Sequence, residues 1–179
     1  MLRRILLGGL AILSVSCAVQ RPLTWATETP LRTYKNVLTD WTRTGVAYRE
    51  FQSQVFVQAT LLSPSFSTSY AKEKARRAGL SESEGAELVD QIVGQARARV
   101  TIFMAVSTKD DNWNDLDKLD PTLRARLHTT DGQTATNSTS ITRLSDDQMS
   151  DFRPFFPYAD QLTTGYLVTF PTPKRLSTI

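Results

Sequence analysis

An acid-rich segment that begins at Asp110 contains the side chains best suited to bind a metal ion. Asp110, Asn112 and Asn114 have the alternate spacing with which a calcium-binding loop begins, and such a loop surrounds its ion with hard oxygen ligands. The rest of the segment departs from that pattern, since Asp115 stands in place of the turn glycine and Pro121 in place of the bidentate glutamate. The sequence therefore favours a solvated polar loop and predicts no metal site, with a bound cation as the alternative.

The other side chains with catalytic potential are isolated from suitable partners. His128 is the only histidine, so a zinc site built on it would need carboxylates for its remaining ligands. The run Ser138-Thr139-Ser140 supplies hydroxyls, but neither a nucleophile elbow nor a Ser-x-x-Lys arrangement accompanies it. We therefore predict no catalytic residue, no cofactor and no enzyme activity.

The first seventeen residues have the composition of an export signal. Arg3 and Arg4 form a cationic start, and the run from Ile5 to Leu13 is apolar and free of charge, as in the n-region and h-region of a signal peptide. The run is too short for a membrane-spanning helix, which needs about 20 apolar residues. Cys17 follows as the only cysteine, so the sequence predicts neither a disulfide nor a cysteine-built zinc site.

The segment Ser14-Val15-Ser16-Cys17 resembles a bacterial lipobox. The resemblance implies that the Cys17 thiol receives a diacylglycerol, that the signal is cut before it, and that the new amino terminus is acylated. Ser14 departs from the family pattern, which prefers leucine at that place. Ala18 follows the cysteine where some such lipoproteins have an aspartate that retains them in the inner membrane, so the resemblance implies the outer membrane, with the body in the periplasm. An ordinary cleaved signal is the alternative, because Ser14-Val15-Ser16 also offers small residues for cleavage.

Length and charge indicate one domain behind this signal. We divide the chain into a signal peptide at 1–16, a lipidated cysteine and linker at 17–32, and a single globular domain at 33–179 with a helical insertion at about 66–98. The net charge of +3 comes largely from Arg3 and Arg4. Because no basic stripe with interleaved aromatic residues occurs, the sequence does not predict nucleic acid as a partner.

Helical spacing of apolar residues occurs in three places. Tyr34, Val37, Leu38 and Trp41 predict a short helix, with Gly45 as its stop. A second helix is predicted from about residue 66 to Gly79. A third begins at the capping box formed by Ser81 and Glu84, in which the hydroxyl and the carboxylate bind backbone N–H groups that the helix leaves unpaired.

Alternation of apolar and polar residues predicts the strands. We expect strands over Glu50–Leu61, Arg99–Ser107 and Leu162–Phe170. A hairpin is expected where Asp131-Gly132 joins residues 123–128 to residues 133–143. We predict a polar connection at residues 146–151 and a loop over the edge of the core at Phe152–Tyr158. The pattern favours a mostly β fold, an antiparallel β-sandwich with a helical insertion, and the alternative is an open antiparallel α+β sheet.

Several short segments of the domain carry a resemblance to known proteins: Trp41-Thr42-Arg43, Tyr48, Ala59-Thr60-Leu61, Phe66, Tyr70, Phe155-Phe156-Pro157, Tyr166 and Phe170-Pro171. Together they resemble bacterial envelope lipoproteins of unknown activity, so no activity follows from the resemblance. The tether and the absence of catalytic motifs favour a membrane-anchored envelope lipoprotein that is a non-catalytic binding or assembly module. Its expected partners are the membrane, through the lipid anchor, and an envelope protein. One alternative is a carrier of a small ligand or metal, with walls from Asp110–Asp117 and Phe152–Tyr158 around a concave pocket. Another is an envelope hydrolase, which would need paired carboxylates.

Overall fold

The computed structural model describes residues 33–49, 52–128 and 134–171. Cys17, the predicted signal and the predicted linker lie outside these residues. Four helices and seven strands are described, in the order α1 Tyr34–Trp41, β1 Thr42–Arg49, β2 Gln52–Leu61, α2 Pro64–Ala78, α3 Glu82–Ala98, β3 Val100–Thr108, β4 Arg126–His128, β5 Ala135–Asn137, β6 Ser140–Arg143, α4 Asp146–Phe152 and β7 Thr164–Phe170.

Five of the strands form one antiparallel sheet, and the other two form a small second sheet. The large sheet has the order β1-β2-β3-β7-β6, and β4 pairs only with β5. The prediction of antiparallel strands with a helical insertion is confirmed. Helices and strands contain about equal numbers of the described residues, and β4 and β5 have only three residues each. The described residues therefore fit the α+β alternative better than a mostly β sandwich.

The helical insertion consists of two helices whose ends follow local capping rules. The Ser63 hydroxyl accepts a hydrogen bond from the Phe66 backbone N–H at the start of α2, and Pro64 fixes the backbone of the first turn. The helix ends at Gly79, whose φ of 65° is left-handed and therefore suits glycine. The predicted capping box of Ser81 and Glu84 at the start of α3 is confirmed.

Two elements contradict the sequence interpretation. Gly45 is not a helix stop, because it lies inside β1, and α1 ends four residues earlier, at Trp41. Thr42, Thr44 and Val46 alternate along β1, and β-branched residues favour extended backbone. The predicted polar connection at 146–151 is also wrong, because it forms α4.

The predicted hairpin is confirmed only at its base. Arg126–His128 pairs antiparallel with Ala135–Asn137, whereas the turn at Asp131-Gly132 lies outside the described residues. The residues after this pair do not continue the hairpin. Instead, Ser140–Arg143 joins the large sheet beside β7.

One face of the large sheet is covered by helices and by the aromatic segment 152–158. Phe156 is fully buried there, with its ring centroid 4.5 Å from that of Phe103 on β3 and 6.0 Å from that of Phe66 on α2. The segment was predicted to lie over the edge of the core, and the structure places it at the centre. On the opposite face, Tyr166 and Val168 are buried beneath the loop that contains Leu116 and Leu123.

A chain of hydroxyl groups joins α1, β2 and the aromatic segment. The Thr42 hydroxyl donates to the Leu38 carbonyl at 2.7 Å, so it must accept from Thr60, 2.6 Å away. Thr60, which is fully buried, in turn accepts from the Tyr158 hydroxyl at 2.5 Å. Burial raises the pKa of Tyr158 to about 12, so its hydroxyl keeps its proton even further into the alkaline range than an exposed tyrosine does.

Candidate functional site

A cleft of about 490 Å³ lies between the α2–α3 pair and the large sheet. Each helix lines it with residues three or four positions apart, which lie on one face of a helix. Seven residues meet this description: Ser67, Tyr70 and Lys74 of α2, and Ile92, Gln95, Ala96 and Arg99 of α3 and its C-cap. The volume is in the range typical of small-molecule sites.

Two rows of side chains on neighbouring strands form the floor of the cleft. Thr101 lies directly opposite Thr169, and Thr169 lies directly opposite Ser140. These three residues line the cleft and form its hydroxyl row. The next row contains Leu167 and Thr142, which are also opposite one another. One end of the floor is therefore rich in hydroxyl groups, and the next row is partly apolar.

The remaining wall is aromatic and well packed. Phe152 and Phe156 line the cleft and stack on one another, with ring centroids 5.6 Å apart. Tyr70 lies 5.8 Å from Phe156 by ring centroids, and burial, with a smaller effect of Asp151, raises the pKa of Tyr70 to about 12. These rings belong to the core of the domain, so this wall is held in place before any ligand binds.

The charged residues that line the cleft are both cations. Lys74 and Arg99 are exposed, and neither side chain makes an ion pair or a hydrogen bond within the part of the chain that the structure describes. The two arginines in the last turn of α2 differ from Lys74 and Arg99, because Arg76 and Arg77 both bind the Glu73 carboxylate, at 2.8 and 2.7 Å. Their hydrogen bonds lower the pKa of Glu73 to about 2. The cleft therefore presents two unpaired cationic side chains to a ligand.

The acid-rich segment uses its polar groups to shape its own loop. The Asp110 carboxylate accepts from the Asn112 backbone N–H at 3.0 Å, as the cap of a 3₁₀ turn. Asp115 accepts from the Thr122 backbone N–H at 2.8 Å, which lowers its pKa. Asn114 turns inward and is bound by Tyr166. Within 33–49, 52–128 and 134–171, no group of three or more His, Cys, Asp or Glu residues is placed to hold a metal ion.

The structure separates the other residues that the sequence singled out. His128 is exposed on β4, away from the cleft. Of the hydroxyl run, Ser140 lines the cleft, whereas the Thr139 hydroxyl donates to the Thr169 carbonyl at 3.1 Å. The proposed carrier wall at 152–158 does line the cleft through Phe152 and Phe156, and the other proposed wall at 110–117 does not.

Sequence reasoning missed the two cations and most of the hydroxyl row. Ser67, Tyr70 and Lys74 have i, i+3, i+7 spacing, so a stripe of mixed polarity on α2 was present as a signal. The opposing row could not be found in that way, because Thr101 and Thr169 come together only through the pairing of β3 with β7.

The free edge of the sheet offers a different surface. The side chains from Arg43 to Tyr48 of β1 are all exposed, and no described strand pairs with the outer side of β1. Val46 lies opposite Phe56, and both are 38% exposed. Tyr48 is 68% exposed. This edge, with the exposed apolar side chains of Val46, Tyr48 and Phe56, is a second candidate surface.

Comparison of the chain with protein-family models, with curated proteins and with solved structures finds no match. Among the helices that the structure describes, none has the length and apolar character to cross a membrane.

Proposed function

We propose that this chain is a lipoprotein of the bacterial cell envelope, anchored through Cys17, whose folded body is a non-catalytic binding module. The cleft between the α2–α3 pair and the sheet carries the binding part of this proposal. Its size suits a small ligand, its aromatic wall belongs to the core, and its cations are unpaired. The anchor part depends on the lipobox-like segment that ends at Cys17. The proposed location is the outer membrane, with the body facing the periplasm.

The cleft supports binding better than hydrolysis. Hydrolysis of an envelope polymer by paired carboxylates requires two acids on either side of the scissile bond. The described residues that line the cleft are hydroxyls, one amide, two cations and apolar groups. The geometry of this cleft therefore gives the hydrolase alternative no support, whereas the small-ligand carrier alternative gains a site.

Metabolic labelling tests the anchor. The chain, expressed in a Gram-negative bacterium with an alkyne analogue of palmitate, is expected to take the label and to sediment with membranes. Cys17→Ala should lose both properties, and because the chain has no other cysteine, a retained label would contradict anchoring at this residue. Ser16→Ala is the matched control, since it keeps a small residue before the cysteine and should be labelled as the natural chain is.

Native mass spectrometry of the full chain isolated from its cells tests the cleft. A bound small molecule is expected, and Ala96→Trp should abolish it because Ala96 is half-buried and lines the cleft. Gln91→Trp is the matched control, since it places the same ring at an exposed position of α3 that does not line this cleft. Equal recovery of the ligand with both variants would refute binding in the cleft.

The exposed edge of β1 favours a second candidate function, which is docking of a protein partner. An unpaired edge can accept an extended segment as an additional strand, and the exposed apolar side chains of this edge would contact the side chains of that segment. A photo-crosslinking residue in place of Tyr48 is expected to capture one partner in cells. Val46→Lys should prevent capture, whereas Gln91→Lys on α3 should not. Capture that Val46→Lys leaves unchanged would exclude this edge.

A further inference from the structure

The two cations lie at opposite ends of the cleft. A three-residue connection, Gly79 to Ser81, joins α2 to α3, so the helices run antiparallel. A Cβ atom at Gly85 would lie 3.5 Å from that of Ala75, which shows that these helices are in contact. Each lining stripe spans seven positions, or about 10.5 Å of helix axis. Lys74 is the last lining residue of α2, and Arg99 the last of α3, so antiparallel packing separates them along the cleft.

The Arg99 end of the cleft has the composition of an anion site. Arg99 comes two residues before Thr101, which begins the hydroxyl row with Thr169 and Ser140. None of these three hydroxyls hydrogen-bonds to another described residue, and all three residues line the same cleft as Arg99, whose side chain is unpaired. A guanidinium and several hydroxyls together provide donors of the kind that bind carboxylate or phosphate oxygens.

The cleft also has an apolar part of its lining, which comes from α3, from the aromatic wall and from the second row of the floor, beside the polar side chains of Ser67, Gln95 and Thr142. This apolar part would bury hydrocarbon rather than a hydrated group. A ligand that binds both the Arg99 end and the apolar part of the lining must therefore have an anionic group at one end and an apolar body. The apolar lining residues are Leu62, Ile92, Ala96, Phe152, Phe156 and Leu167.

We propose that the cleft binds an anionic amphiphile, with its carboxylate or phosphate at Arg99 and the hydroxyl row, and its hydrocarbon body along the α2–α3 pair. This inference rests on the proposed binding function of the cleft and names the class of its ligand. Lys74 adds positive potential and so disfavours a cationic head group. Both free fatty acids and anionic phospholipids have the required chemistry, and the test below separates them.

The test uses four eight-carbon probes that differ only in the head group: octanoate, octyl phosphate, octanol and octylammonium. The full lipidated chain is held in nanodiscs of phosphatidylcholine, which has no net charge, and empty nanodiscs give the background partitioning of each probe. Binding is measured by calorimetry, and a diazirine analogue of octanoate locates the site by mass spectrometry. We expect the two anions to bind and to label residues of the cleft, octanol to bind at least tenfold more weakly, and octylammonium not to bind.

Variants identify the group that recognises the anion. Arg99→Ala is expected to weaken octanoate binding by about 10- to 100-fold, the range for a lost hydrogen bond to a charged group, and to leave octanol binding unchanged. Arg97→Ala is the matched control, because Arg97 is an exposed arginine on the last turn of the same helix and does not line the cleft. Its affinity for octanoate should equal that of the natural chain.

The outcomes separate this inference from the proposed function. Equal binding of octanol and octanoate, both abolished by Ala96→Trp, would refute the anionic class and leave the binding cleft standing. Absence of binding by all four probes would also refute the inference, and native mass spectrometry would then decide on the cleft by itself. If nanodiscs containing phosphatidylglycerol displace octanoate from the natural chain, the source of the anion is a membrane lipid, and if they do not, it is a free amphiphile.

Discussion

Replacing Gly165 with alanine tests how closely α4 packs against the large sheet. Gly165 lies on β7 and is buried beneath α4. A Cβ atom at this position would collide with the Met149 sulfur and would lie 3.3 Å from a methyl carbon of Leu144. Met149 is 2% exposed, so its side chain has little room to move. The alanine methyl must therefore displace α4 or force Met149 out of its preferred rotamer.

The expected cost follows from this contact. Overpacking of a close-packed core destabilises a protein by about 1–3 kcal/mol, and each kcal/mol lowers the melting temperature of a domain of this size by about 2–4 °C. Replacing Gly94 with alanine should instead raise the free energy of unfolding. Gly94 lies exposed within α3, where nothing would come within 4 Å of the new Cβ atom. Alanine there should stabilise the chain by about 0.5–1 kcal/mol.

Urea denaturation of the full chain, followed by circular dichroism, measures both effects. The double variant Gly165→Ala/Met149→Ala provides the decisive control, because removing the Met149 side chain makes room for the new methyl group. We expect the double variant to lose less free energy of unfolding than the sum of the two single losses. If Gly165→Ala is as stable as the natural chain, or if the two losses simply add, the contact between β7 and α4 does not limit packing as we describe.

Three further predictions concern polar groups. Tyr166→Phe should cost about 1–3 kcal/mol, because the buried Tyr166 hydroxyl lies 2.8 Å from the Asn114 side-chain oxygen; a urea midpoint equal to that of the natural chain would contradict this. Ser145→Ala should cost about 0.5–2 kcal/mol, since Ser145 and Gln148 form the capping box of α4, and thermal melting measures the loss. The pKa of Glu73 falls from 4.5 to about 2 in the folded chain, so its stabilisation is present above pH 4.5 and is lost as the pH falls to about 2. The stability difference between the natural chain and Glu73→Gln should shrink over that range in acid titration, and a constant difference would refute the linkage.

Local signals in the sequence predicted most of the helices and the central strands. The capping box at Ser81, the glycine stop at Gly79 and the alternation before Leu61 each depend on a few neighbouring residues, so they can be found without the fold. The capping box at Ser145 has the same kind of signal, with Gln148 in place of glutamate. The helix that follows it was not predicted, because the segment is short and polar. In α1, the stop comes from the β-branched residues that start β1 and not from Gly45.

The candidate site depends on long-range pairing and could be predicted only in part. The segment with Phe152 and Phe156 is aromatic and interrupted by prolines, which predicts a loop over the edge of the core, and only the carrier alternative places it beside a ligand. The hydroxyl row required the register between β3, β7 and β6, and no local pattern specifies that register. The sequence pattern places Arg99 only at the start of an expected strand, Arg99–Ser107. Its place beside the cleft follows from the turn that leads from α3 into β3.

The position of β7 between β3 and β6 has a consequence for the order of folding. β1, β2 and β3 pair with their neighbours in sequence, whereas β3 meets β7 only after a long separation, with Val106 opposite Thr164. Long-range pairing forms slowly because a long loop must close first. Pulse-labelled hydrogen exchange should therefore protect β2 before β7, and simultaneous protection would contradict this order. Until β7 inserts, β3 has an unpaired edge that can recruit another chain, and the hydroxyl row lacks Thr169 of β7 and Ser140 of β6, which joins the sheet only through β7. The insertion of β7 thus completes the cleft and pairs the edge of β3 in the same late step.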